Sequence, residues 1–66
     1  MKIVLNAEPH TLNQGSHVTD LVESLQLGNQ AIAVAINRKI IPKSLWSSTA
    51  INELDVVDVV RAIGGG

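Results

Sequence analysis

Cysteine is absent from this 66-residue chain, and so are phenylalanine and tyrosine; tryptophan occurs once and proline twice. Without cysteine there is no disulfide to brace the fold and no thiolate to hold a metal. Without Phe or Tyr the core has to be aliphatic, built from seven Ile, eight Val and seven Leu. An excess of either charge is missing too. Five basic and six acidic residues give a net charge of −1. The bases are scattered, so there is no electrostatic footprint for nucleic acid or an anionic membrane. No apolar run approaches the length that spans a bilayer. The opening M-K-I-V-L-N-A carries one charge and then breaks at Glu8 and Pro9, unlike a signal peptide. These absences give the expectation of a cytoplasmic protein. A chain this short makes one domain and buries only about 60 % of its unfolded surface, so every packed residue counts.

What is present is regular hydrophobic patterning. Met1–Ala7 alternates, with Met1, Ile3 and Leu5 on one face and Lys2, Val4 and Asn6 on the other, as in a strand buried on one side. Pro9 favours a turn or a sheet edge, and His10–Leu12 reads as a short return strand. Val18, Leu21, Val22 and Leu25 form one helical stripe. Ser16 or His17 precedes it, and Ser16 is the better N-cap by chemistry. Gly28 is expected to stop the helix in the left-handed conformation. Ala31–Ile36 alternates again. Asn37, Arg38 and Lys39 make a tight connection, and Ile40-Ile41 starts a strand that Pro42 ends. Lys43–Ser48 reads as one helical turn with Leu45 and Trp46 tucked inward. Trp46 is expected as a core plug, with an interface anchor as the alternative. Asn52-Glu53 turn into a last strand, with Val57, Val59 and Ile63 on one face and Val56, Asp58, Val60 and Ala62 on the other.

This order predicts an α+β fold, a mixed sheet of four to five strands with one main helix packed on one face. The other face is left bare. If the first and last strands lie side by side, Val4, Val60 and Ala62 make an exposed apolar patch, the kind of surface that marks a contact.

Candidate chemistry inside the domain is thin. His10 and His17 are the only imidazoles, fall on different elements and lack further ligands, so no metal site is expected. Asp55 and Asp58, three apart on a strand, point to opposite faces and cannot share a substrate. Arg38, Lys39 and Lys43 gather at a hairpin, either as a docking patch or as a solvated turn. No nucleophile elbow is present, and no Gly-rich loop precedes a helix. No catalytic residue is expected. The exception to this blandness is the end, R-A-I-G-G-G. Glycine is the costliest residue to order, so three in a row do nothing for stability. A frayed end or a scar is one explanation. The other is that residues 1–63 form the domain and 64–66 a flexible tail that presents the Gly66 carboxylate. Gly64 and Gly65, lacking side chains, would thread a narrow channel in a partner. The domain is then a substrate of that partner.

The residues also resemble a known family. M-K-I-V-L-N, V-T-D-L-V-E-S-L and A-V-A-I-N-R-K-I-I-P-K-S-L-W, together with the terminal Gly65-Gly66, are similar to the ThiS family of sulfur carriers. That resemblance implies a ubiquitin-like β-grasp fold. It implies that a ThiF-type adenylyltransferase uses ATP to activate Gly66, and that a sulfur donor system converts the acyl-adenylate to a thiocarboxylate. It also implies that a ThiG-type thiazole synthase accepts the sulfur, with no cofactor bound by the chain itself. The patch near Val60 and Ala62 matches the surface such carriers use against their enzymes. Two departures concern turns. Leu54-Asp55 stands where many relatives have Gly-Asp, and His17 stands where a Thr or Ser cap is usual. A small subunit of the molybdopterin-synthase (MoaD) type, a ubiquitin-like modifier and a plain interaction module remain as alternatives.

Overall fold

The computed structural model describes residues 1–27 and 31–61. Among the described residues there are five strands: β1 (Lys2–Leu5), β2 (Glu8–Thr11), β3 (Ile32–Ile36), β4 (Lys39–Ile41) and β5 (Val56–Arg61). One α-helix, α1 (Val18–Ser24), and a 3-10 helix over Lys43–Ser48 complete the elements. The sheet order is β2-β1-β5-β3-β4. β1 and β5 run parallel at its centre, and the other pairs are antiparallel. This is the mixed sheet with one main helix that the patterning predicts.

The core lies between α1 and one face of the sheet. Val18, Leu21 and Val22 of α1 meet Ile3, Val34, Ile36, Val57 and Val59 of the strands, closed by Trp46 and Ile51. Trp46 is 7 % exposed, and its indole Nε1–H donates to the Ile41 carbonyl at 2.9 Å. It is a core residue, with its polar atom satisfied. Leu45, expected beside it, points outward instead and is 49 % exposed. A 3-10 turn places consecutive side chains roughly 120° apart, so two neighbours cannot both face one core.

Several boundaries differ from the sequence pattern, each for a local reason. β2 begins at Glu8 and contains Pro9, which an outer edge tolerates. Both hairpins turn through two residues at positive φ, Asn6 (51°) with Ala7 (67°) and Asn37 (50°) with Arg38 (71°). These are type I′ turns, the tightest hairpin connection, here made without glycine. The N-cap of α1 is His17 and not Ser16. The Ser16 hydroxyl donates back to the Asn13 carbonyl, 2.8 Å, while the His17 N–H donates to the Asp20 carboxylate, 2.8 Å. Asp20 thereby takes the reciprocal position of a capping box and suits the positive end of the helix.

The helix end also differs. Gly28 lies outside the described residues, and the left-handed position is Gln26 (φ 59°), two residues earlier. The Gln26 N–H donates to Glu23 and the Leu27 N–H to the Val22 carbonyl, which is the Schellman pattern.

Leu54 is the costliest of these backbone choices. It sits at φ 69° with its side chain 72 % exposed, and its N–H donates to the Lys2 carbonyl at 2.7 Å. Leucine gains little burial there and bears the left-handed penalty of roughly 1–2 kcal/mol. Glycine removes the penalty and loses part of the gain to unfolded-state entropy. Leu54→Gly is therefore expected to stabilise the fold by about 0.5–1 kcal/mol. In urea the midpoint rises at unchanged slope.

Candidate functional site

Among the described residues no helix covers the outer face of the sheet. Which side chains reach it follows from register. Val4 of β1 stands beside Val56 of β5; Ala35 pairs with Asp58 and Ile40; Ala33 pairs with Val60. Val56, Val60 and Ile40 are exposed at 41, 57 and 74 %. Val4 and Val60, predicted for the patch, do lie on this one face. They are not neighbours: four residues along β5 separate Val60 from the Val4–Val56 pair, about 13 Å at strand spacing. Asp58 stands between them. Ala62 lies outside the described residues, as do Ile63, the division between residues 63 and 64, and Gly64, Gly65 and Gly66.

Ala33, Ala35 and Ile40 belong to the same face and were missed by the sequence reading. Their signal was the alternation of β3 and β4. Small alanines opposite β5 leave the face shallow, so a partner can approach the backbone of the central strands closely.

β5 is held at its start by two turn asparagines. On the β3 side, the Asn37 N–H donates to the Val56 carbonyl, 2.7 Å, and the Val56 N–H returns to Asn37 Oδ1, 3.0 Å. On the β1 side, the Asn6 N–H donates to the Val57 carbonyl, 2.9 Å, and Asn6 Oδ1 accepts the Val59 N–H, 2.8 Å. A parallel ladder continuing upward would offer a main-chain carbonyl to Val59. The chain has turned away there, and the Asn6 side chain supplies the oxygen.

The remaining sequence candidates are spent on structure or stand alone. Asp55 accepts from the Asn52 N–H, 2.8 Å, and from Asn37 Nδ2, 3.2 Å, closing the turn into β5. Asp58 faces away from it on the outer face. His17 Nδ1 lies 3.6 Å from Asp20 within the helix cap, while His10 sits on β2 opposite Ile3. Among the described residues no three His, Asp or Glu gather as metal ligands. Arg38, Lys39 and Lys43 are exposed around the β3–β4 turn and the start of the 3-10 helix. No helix among the described residues is long and apolar enough to cross a membrane.

Comparison with known proteins agrees with this geometry. The sulfur carrier protein ThiS of Escherichia coli (strain K12) is 29 % identical over 66 residues, covering 100 % of both chains. A thiazole synthase of Paramagnetospirillum magneticum is 35 % identical over the same length, of which this chain spans 20 %. The crystal structure of a thiamine biosynthesis protein (ThiS) from Geobacter metallireducens superimposes with a TM-score of 0.85 at 23 % identity, covering 100 % of both chains. It shares the β-grasp fold. The ThiS family model matches residues 3–66, which takes in all of the described elements but Lys2 of β1, together with the terminal glycines of the sequence, and the chain belongs to the ThiS family.

Proposed function

We propose that this chain is a sulfur carrier of thiamine biosynthesis and serves as a protein co-substrate, not an enzyme. The observation that carries the reading is the family match through Gly66, the last of three glycines that follow β5. The Gly66 carboxylate attacks the α-phosphorus of ATP in the active site of a ThiF-type adenylyltransferase and pyrophosphate leaves. Sulfur at the sulfide level, delivered by a donor system, then displaces AMP from the acyl-adenylate. A terminal thiocarboxylate results. Gly64 and Gly65 thread the partner's channel because they have no side chain to obstruct it. The relative named as a thiazole synthase, a fifth of whose length this chain matches, supports a ThiG-type acceptor. The outer face with Val4 and Val60, extended by Ala62, docks against these enzymes. An uncovered apolar face suits that use.

The test is an intact mass. The chain is incubated with a competent adenylating enzyme, ATP and a sulfur source. A gain equal to one sulfur replacing one oxygen at Gly66 is expected. An unchanged mass overturns the carrier reading, and a covalent conjugate of high mass favours a protein modifier.

A further inference from the structure

Main-chain groups on a strand alternate in direction, and on β5 the bonds already described fix which side each one faces. Val56 faces Asn37 with both its N–H and its carbonyl. Val57 and Val59 therefore face β1, and Arg61, two residues on, faces the same way. The Val57 carbonyl and Val59 N–H are taken by Asn6. Beyond them β1 has ended at Leu5 and turned back through Asn6-Ala7, whereas β5 runs on to Arg61. No described residue pairs with the Val59 carbonyl or the Arg61 N–H. A notch thus opens in the middle of the sheet, beside the residues that lead into the glycines.

The sheet's two outer edges are treated differently. β2 carries Pro9 and the charged Glu8; β4 is only three residues long, begins at Lys39 and runs into Pro42. Short strands, proline and charge are the usual ways to refuse an added strand. The inner edge at Val59–Arg61 has none of these blocks.

We infer that this notch receives an extended backbone segment of the protein partner that takes up the tail, added to β5 in line with β1. The inference rests on the carrier reading. One partner residue in parallel register satisfies both open groups: its N–H donates to the Val59 carbonyl, and its carbonyl accepts the Arg61 N–H. An antiparallel segment fits less well, because the Val59 N–H is already committed to Asn6. Backbone is recognised here by backbone, with Val60 on the outer face supplying an adjacent apolar contact. Strand addition this close to the tail sets its direction before the glycines begin.

The chain is short enough for chemical synthesis, which allows the Arg61 N–H to be removed directly. Two versions are made: one with an ester in place of the Val60–Arg61 amide, the other with Arg61 N-methylated. Each is titrated against the adenylating enzyme and, separately, the thiazole synthase, and each is unfolded in urea. Because the Arg61 N–H has no partner within the described chain, the N-methyl version should keep a urea midpoint close to that of the native chain, and the ester should lose only what a weaker Val60 carbonyl costs in its pairing with Ala33. Affinity for at least one enzyme should fall about fivefold for the ester. The N-methyl version should bind still more weakly, since it also fills the notch. If both versions bind both enzymes as the native chain does, the notch is not a strand-addition site. Failure of the carrier reading is separate, because it appears as absence of thiolation in the unmodified chain.

Discussion

Trp46→Ala is expected to leave most of the chain unfolded at room temperature. A domain of this length has a total stability of about 3–10 kcal/mol. Removing a buried tryptophan costs about 3–5 kcal/mol, and more where the surroundings cannot collapse. Here they have little to collapse with. Every other member of the core cluster is Ile, Val or Leu. Trp46 is also the buried residue of the 3-10 helix that packs against α1. The segment just after that helix is tied to the start of α1 through the Val18 N–H to the Thr49 carbonyl, 3.0 Å, and through the pairing of His17 with Ala50. Circular dichroism should show loss of the cooperative urea transition. Trp46→Phe separates volume from hydrogen bonding. It keeps a ring in place and forfeits the bond to Ile41, so a loss of about 1–2 kcal/mol is expected with folding retained. A cooperative transition in Trp46→Ala at the native midpoint would show that the indole is not the keystone of this core.

The elements that sequence revealed are those whose cause is local. Alternation in Met1–Leu5 and Ala31–Ile36 marks strands because one face is buried, and the 18-21-22-25 stripe marks α1 for the same reason. Pro9 was legible as an edge residue because proline cannot donate to a ladder. The tight connection at Asn37–Lys39 and the turn at Asn52-Glu53 were legible, but their left-handed positions were not, because glycine is the usual signal for positive φ and this chain uses Ala7, Arg38, Gln26 and Leu54 instead. Strand pairing overrides the residue preference at Ala7 and Arg38, and the bonds to Val22 and Glu23 do so at Gln26. Asn6 and Asn37 gave no sign of their part in holding β5, since their partners lie 53 and 19 residues away.

The candidate site divides along the same line. The parity of Val4 and Val60 was readable strand by strand. Their separation was not, because it depends on the register of β1 against β5. The same register sets the notch at Val59–Arg61, since it decides how far β5 outruns β1. The glycine run stands out by composition alone, and its proposed role as a tail rests on the carrier reading. What the fold adds is the position of β5, whose described part ends at Arg61.

Deleting Gly66 is expected to abolish adenylation while leaving the fold as stable as before. The described core residues lie between Ile3 and Val59, and a glycine has no side chain to add to them. The urea midpoint should therefore not move. The reacting group, however, retreats by one residue, up to about 3.5 Å. Misplacing a reacting atom by about 1 Å can already cost a hundredfold in rate. A carboxylate of identical chemistry, now on Gly65, should thus lose at least about a hundredfold in kcat/KM for the pyrophosphate-releasing step. Gly66→Ala tests the other half of the argument. It restores the length and adds one methyl beside the reacting carbon, so its loss reports crowding alone and should be smaller than that of the deletion. If the shortened chain is adenylated as fast as the native one, the glycines are only a frayed end and the reactive atoms lie elsewhere.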